Sequence, residues 1–376
     1  MKRLFAALLA ASCLLLPAAA VAGTPEVNAA AALLMEQETG RVLYEKNAHE
    51  KLEPASVTKV MTMLLVMEAL QDGQISLADT VTVSAHAAGM GGSQVYLEEG
   101  ERMSIHDLLK AVAVASGNDA SAALAEHIAG SENGFVELMN RRAAQLGMND
   151  TTFLNCTGLP AKGHVTSAHD IALMSRALLE YPKIKEYTTI WMDSLRDGSF
   201  GLANTNKLVR FYQGTTGLKT GSTDNALYCL SATAQRDGME LIAVILKSPT
   251  STARFESAKA LLNFGFANYT MLDVHPSEAL PPVDVLLGCQ RYVQPELARS
   301  SRILIEKADK NKVTTSVQLV DNAEAPVEQG QKLGNLTVWL DGEAVETIPI
   351  LAGTGVERLT IPGIFGRFLH VLFMGE

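Results

Sequence analysis

The hydrophobic pattern of this chain changes period repeatedly, and each change marks a different kind of element. Residues 31–35 and 41–45 are short apolar runs split by Glu38-Thr39-Gly40, which predicts a hairpin. Residues 226–234 and 239–246 flank Arg236-Asp237-Gly238 and give a second, stronger hairpin signal. Between the two, the pattern turns helical. Residues 60–70 are apolar almost all round, as in a helix buried on every side. Ser104 with Asp107 precedes Leu108, Leu109 and Val112, and Ser167 with Asp170 precedes the apolar run 171–179; both pairs resemble capping boxes. The pattern predicts a mixed α+β domain whose antiparallel sheet takes strands from both ends of the segment, with a helical insertion between them.

Beyond His275-Pro276 and Pro281-Pro282 the helical period fades. Residues 313–320 and 336–340 read as strands, and Asp341-Gly342 as a tight turn into residues 345–350, so 275–360 is expected to be a small all-β domain. The tail changes again. Pro362-Gly363 leads into Ile364, Phe365, Phe368, Leu369, Val371, Leu372, Phe373 and Met374, interrupted by Arg367 and His370. A helix rising about 1.5 Å per residue cannot span a hydrocarbon layer of about 30 Å from so few residues. Residues 361–376 are therefore expected to lie in a membrane interface, apolar face down, with packing on the β domain as the alternative. At the other end, Lys2 and Arg3, the apolar run 4–16 and Ala20-Val21-Ala22 predict a secretory signal peptide over residues 1–22. The catalytic candidate is then residues 23–274, and the protein is expected outside the cytoplasm.

Charge and cysteine content remove several classes. The formal net charge of −10 grows more negative once Lys2 and Arg3 are cleaved away, so no nucleic-acid partner is expected. Of the four cysteines Cys13 lies in the predicted signal peptide; the remaining Cys156, Cys229 and Cys289 are odd in number, widely spaced and free of any C-x-x-C pattern, so buried thiols are expected instead of a disulfide framework or a zinc site. No cofactor is called for.

Three short motifs then stand in fixed order: Ser56-Val57-Thr58-Lys59, Ser116-Gly117-Asn118 and Lys219-Thr220-Gly221. A serine hydroxyl needs a base within hydrogen-bond reach to act as a nucleophile at neutral pH. Pro54 and Ala55 place Ser56 in the first turn of the buried helix, where the backbone dipole favours developing negative charge. Lys59, three residues on, projects from the same face among Val60, Met61, Leu64 and Leu65, where desolvation lowers an amine pKa. Ser116-Gly117-Asn118 falls at a bend between helical runs, and the glycine lets two polar side chains point at one centre. Ser116 suits a proton shuttle to the leaving group and Asn118 a contact to a substrate amide; capping of the second helix by Asn118 or Asp119 is the alternative. Lys219 and Thr220 suit a terminal carboxylate, Gly221 permits close approach of a ligand, and the Ser222 and Ser56 N–H groups suit an oxyanion hole.

With its flanking strings Pro54-Ala55-Ser56-Val57-Thr58-Lys59-Val60-Met61-Thr62 and Thr216-Gly217-Leu218-Lys219-Thr220-Gly221, the chain resembles the low-molecular-mass penicillin-binding proteins, specifically the serine-type D-alanyl-D-alanine carboxypeptidases. The resemblance implies a β-lactamase/transpeptidase-like catalytic domain, peptidoglycan stem peptides ending in D-Ala-D-Ala as substrate and β-lactams as inhibitors. It implies Ser56 as the acylated nucleophile, Lys59 as general base, Ser116 and Asn118 as the second element, and Lys219, Thr220 and Gly221 as the third. Arg254, followed by Phe255, matches an arginine that helps hold the substrate carboxylate. A β-lactamase would need a deacylating glutamate. Glu137, three residues before Asn140, lies in an apolar-periodic stretch and reads as helix surface, and Glu180 lacks an asparagine partner. A non-catalytic wall-binding protein of the same fold is disfavoured by three intact motifs. A Ser-His-Asp hydrolase lacks its G-x-S-x-G string, and a metallohydrolase its H-E-x-x-H; His164 and His169 read as flanking a helix cap.

Overall fold

A computed structural model describes residues 23–298 and 301–374. The signal-peptide expectation at residues 1–22 lies outside the described residues. The chain divides between Asn268 and Tyr269 into two compact units.

Along the first unit run β1 (Ala31–Glu36) and β2 (Val42–Lys46), then a 3-10 turn, Ala55–Thr58, that continues into α1 (Lys59–Gln71). A small ribbon follows, β3 (Thr80–Thr82), α2 (Ala85–Ala88) and β4 (Arg102–Ser104). The helical layer comprises α3 (Ile105–Lys110), a π-helical turn Ala111–Ala115, α4 (Asn118–Ala129), α5 (Glu132–Gln145), α6 (Ala168–Leu179) and α7 (Lys185–Thr188). A hairpin of β5 (Met192–Leu195) and β6 (Phe200–Ala203) and the turn α8 (Leu208–Phe211) lead to β7 (Thr215–Thr223), β8 (Leu227–Arg236), β9 (Met239–Ser248) and α9 (Ser251–Asn268).

The sheet has the spatial order β2-β1-β9-β8-β7, antiparallel throughout. Its first strands therefore pair with its last, as the two hairpin signals predict. Both faces are covered, which is why β1 and β9 read as unbroken apolar runs instead of alternating ones. Leu33, Met35, Ile242 and Val244 share one core with Val60 and Leu64 of α1 and Ile171 and Leu178 of α6. On the other face Gly265 of α9 sits over Leu34 and Leu241, where a side chain would collide with both leucines.

The capping boxes form only by half. Ser104 Oγ accepts the Asp107 N–H at 3.1 Å and Ser167 Oγ the Asp170 N–H at 3.2 Å. The return bonds are absent, because aspartate is one methylene shorter than the glutamate of a full box. Asp107 takes the Ser104 hydroxyl instead, and Asp170 accepts from the Asp150 N–H and the Thr151 hydroxyl.

In the second unit, strand Tyr269–Asp273 pairs with Arg302–Glu306, so a segment read from the sequence as the end of the first domain joins the second. Val283–Leu286 pairs antiparallel with Tyr292–Val293 and parallel with Asn322–Glu324. Four strands, Pro295–Leu297, Glu343–Ala352, Lys332–Leu340 and Val313–Leu319, form an antiparallel sheet in that spatial order. Leu336, Val338, Ile348 and Ile350 make its inner face, against Ile303 and Ile305. Cys156 and Cys229 are buried as expected, but Cys289 is exposed. It lies in a bend after the short strand Val283–Leu286, with its amide on the Glu357 carbonyl and its side chain outside the nearby core of Val283, Val285 and Val356. The chain ends in α10 (Ile361–Met374), on which Ile361, Ile364, Phe365, Leu372 and Phe373 are exposed. Among the described residues no helix is long and apolar enough to cross a membrane.

Candidate active site

The three motifs meet where β7, the edge strand of the sheet, passes the start of α1. Ser56 lies in the 3-10 turn and Lys59 opens α1, so one continuous helical turn carries both. Lys59 is wholly buried, and its Nζ donates to Ser56 Oγ at 3.0 Å, Asn118 Oδ1 at 2.6 Å and the Thr157 carbonyl at 2.8 Å. Burial brings its pKa down from 10.5 to about 7, against smaller upward pulls from Cys156 and Asp119. A neutral amine has two N–H donors and one lone pair. Asn118 and Thr157 offer acceptors only, so they take the two donors and leave the lone pair facing the Ser56 hydroxyl.

Ser116 ends the π-helical turn in a left-handed conformation, φ 65°, and is buried. This single residue bends the chain between α3 and α4, the bend read from the sequence. Gly117 holds the cap position of α4, and Asp119 Oδ1 accepts the first-turn Ala120 N–H at 2.9 Å. The Asn118 amide instead spans two walls of the site, accepting from Lys59 and donating through Nδ2 to the Gly91 carbonyl at 2.6 Å. The second Nδ2 hydrogen is not used by that bond. Asp119 accepts the Val95 and Leu97 amides, at 2.9 and 3.1 Å to one oxygen, and so fastens the loop over residues 91–97 beside the motif.

Strand parity puts Lys219 and Gly221 on one face of β7 and Thr220 on the other. Lys219 is buried, donates to the Thr220 carbonyl at 2.9 Å, and has its pKa driven well down by burial, then by the charges of Lys59 and Arg254. Thr220 Oγ1 donates to Thr205 Oγ1 at 2.7 Å. Gly221 is required by contact: a Cβ there would lie 2.7 Å from the Pro54 carbonyl oxygen and 2.8 Å from the Ser56 nitrogen. Ser222 follows at the exposed rim. Arg254, on α9, is buried behind this strand. Its Nη1 donates to the Gly221 and Cys229 carbonyls at 3.2 and 3.1 Å, and its Nη2 to Ser251 Oγ at 3.2 Å. The guanidinium is thus tied to the backbone of the third motif, with Nε unpartnered.

Sequence reading missed the loop that closes the site from below. Asn155 Oδ1 accepts from Thr157 N–H, Thr157 Oγ1 and Gly158 N–H, the last at 2.7 Å, and so shapes the turn presenting the Thr157 carbonyl to Lys59. Gly158, φ 83°, passes so close to the Ala55 carbonyl that no side chain fits. His164, which with His169 brackets the Ser167 cap of α6, is also a strut: its Nδ1 accepts the Leu154 N–H, which leaves Nε2–H to donate to Thr58 Oγ1 at 2.8 Å. Burial holds its pKa down at about 4, so the imidazole is neutral. No periodic pattern announces such bonds; the only signal was a run of Asn, Thr and Gly. Of the glutamates weighed for deacylation, Glu137 is on the exposed face of α5 and Glu180 is exposed just after α6. Asn140 instead pins the loop, exchanging hydrogen bonds with Phe153 N–H and C=O.

The chain is similar to known proteins. Residues 18–250 match the family model for D-alanyl-D-alanine carboxypeptidase, and residues 275–358 that for the penicillin-binding protein 5 C-terminal domain. The D-alanyl-D-alanine carboxypeptidase DacF of Bacillus subtilis is 43% identical over 339 residues, covering 88% of this chain and 86% of that protein. Among solved structures, penicillin binding protein 5 from Haemophilus influenzae superposes with a TM-score of 0.78 at 30% identity, covering 89% of this chain and 99% of that one. Penicillin-binding protein D2 from Listeria monocytogenes, solved in its cefotaxime-bound form, matches 65% of this chain and 99% of its own at 33% identity, with a TM-score of 0.60. A match to the catalytic family model over most of the chain, joined to the three motifs around one buried lysine, means that this chain belongs to the D-alanyl-D-alanine carboxypeptidase family.

Proposed function

We propose that the chain removes the terminal D-alanine from peptidoglycan stem peptides through a Ser56 acyl-enzyme. The observation that carries this reading is the fully buried Lys59 amine, held 3.0 Å from Ser56 Oγ with its two donors spoken for. Ser56 Oγ attacks the carbonyl of the D-Ala-D-Ala bond while its proton passes to Lys59. The Ser56 and Ser222 N–H groups receive the oxyanion, which is where stabilisation accelerates acyl transfer. Ser116, at the bend between α3 and α4, relays the proton to the departing amine. D-Alanine leaves, and water then takes the acyl group. Lys219 and Thr220 hold the substrate carboxylate, Asn118 its amide, and Gly221 lets it approach the strand. Arg254 supports that pocket through the Gly221 carbonyl.

A β-lactam ring presents the same carbonyl and carboxylate, and its ring-opened ester would stay on Ser56; β-lactams are thus expected to inhibit. The exposed positions of Glu137 and Glu180 give a β-lactamase reading no support. Export by the segment 1–22 and seating of α10 on the outer face of the cytoplasmic membrane complete the proposal. The exposed apolar residues of α10 favour seating over packing against its own unit.

The test is release of D-alanine from a D-Ala-D-Ala-terminated peptide, with labelled penicillin mapped by mass spectrometry. Wild type should release D-alanine and carry one penicilloyl adduct on Ser56; Ser56→Ala should do neither. Release by the alanine variant at the wild-type rate would end the assignment.

A further inference from the structure

The third acceptor of Lys59 is a backbone carbonyl on a loop, and a carbonyl holds its direction only as well as its loop is held. The residue before Thr157 is Cys156, and its amide and thiol both donate to one carboxylate oxygen: Cys156 N–H reaches Glu132 Oε1 at 3.1 Å and Cys156 Sγ reaches it at 3.2 Å. Glu132 is the first residue of α5, and its other oxygen meets His86 Nε2, on α2, at 2.8 Å. The Cys156 carbonyl is fixed from the opposite side by Thr62 Oγ1 at 2.7 Å, one turn along α1 from Lys59. Cys156 and Thr157 are wholly buried, so water cannot replace these bonds cheaply. Neither Glu132 nor Cys156 belongs to the three motifs, and Glu132 touches neither Ser56 nor Lys59.

We propose that Glu132 is a positioning residue for the catalytic lysine: its carboxylate holds the Cys156 amide and thereby aims the adjoining Thr157 carbonyl at Lys59 Nζ. The inference rests on Lys59 being the base. With the Thr157 acceptor in place, one N–H of the neutral amine is committed and the lone pair is kept on Ser56. Without it the amine is free to turn, and misplacement of a catalytic group by about 1 Å costs on the order of 100-fold in rate. Loss of an acceptor also disfavours the ammonium form, so the lysine should titrate at lower pH. The charged and titratable groups facing Lys59 are Lys219 from β7, Asp119 from α4 and Cys156 from the loop; those facing Glu132 are His86 and Cys156. Lys219 and Asp119 stay in place when Glu132 is changed, so a shift reports the loop.

The experiment follows acylation of the mature protein by a labelled penicillin across pH, in wild type, Glu132→Ala and Glu132→Gln. Glu132→Ala should slow acylation about tenfold or more, with the midpoint of the acidic limb moved to lower pH. Glu132→Gln keeps an oxygen for the Cys156 amide and should stay near wild type in both. A folded Glu132→Ala with wild-type rate and limb overturns the proposal. So does a glutamine variant that falls as far as alanine with its limb unmoved, since charge or packing would then be the cause. If Glu132→Ala does not fold, Thr62→Val loosens the same loop through the Cys156 carbonyl. It should move the limb in the same direction, and an unmoved limb there is equally fatal. Failure of the wild type to form a Ser56 adduct would instead overturn the functional reading, so the two failures are distinguishable.

Discussion

Lys59 owes its behaviour to where its three hydrogen bonds end. Two go to groups that can only accept, and the third goes to the residue proposed to lose a proton. The direction of its pKa shift follows from burial, because an ammonium loses water that the partners replace only in part. The base must be unprotonated in the free enzyme, so acylation should rise with pH through a limb centred near 7 and be lost below it. Lys59→Arg should remove that limb together with the activity, by a factor of about 100 to 10,000, since a guanidinium does not give up its proton in a protein. A rate against pH for both proteins checks this. A limb that survives in the arginine variant would assign it to another group. At this scale much was legible: the spacing of Ser56 and Lys59 and the apolar residues around them indicated a desolvated amine. What was not legible was the loop that directs it, because Thr157 acts through its backbone carbonyl, Asn155 and His164 use their side chains to hold that loop, and the loop has no period.

Elements meet here at closer range than their sequence patterns suggest. The 3-10 turn Ala55–Thr58 is pressed between Gly221 of β7 and Gly158 of the loop, so the nucleophile is fixed from both sides by backbone instead of by side chains. Gly221→Ala is therefore expected to push the strand and the turn apart and slow penicillin acylation by on the order of 100-fold. Its far-ultraviolet circular dichroism should stay that of wild type, and wild-type acylation with unchanged structure would contradict the contact. The hairpins and the all-round apolar helix α1 were readable because periodicity and turn residues report on local structure. The half-made capping boxes were not, since the motif records residue type and the missing methylene decides the geometry. Nor could the match of Arg254 to an arginine that helps hold the substrate carboxylate show its bonds to the Gly221 and Cys229 carbonyls.

For the whole molecule the division of labour is between a first unit that contains every motif residue and a second unit that ends in α10. Deleting residues 362–376 should release the protein from membrane fractions while the soluble product still cleaves a D-Ala-D-Ala peptide at the wild-type rate. Sedimentation with vesicles together with D-alanine release measures both, and activity lost along with binding would contradict the division. The compact units divide at Asn268 and Tyr269, a few residues before the proline-rich stretch that marks the linker in the sequence, because membership of a sheet is settled by pairing: Tyr269–Asp273 joins Arg302–Glu306. The order of strands in the central sheet has a further consequence for synthesis. Ala31 pairs with Leu246 and Met35 with Ile242, so the first strand to leave a ribosome or a translocation pore has no inner neighbour until nearly the whole first unit has followed. Contacts so distant along the chain form late and slowly. A newly made first unit therefore completes its sheet, and closes around Ser56, only after the segment that brings Lys219 and Gly221 has also been made.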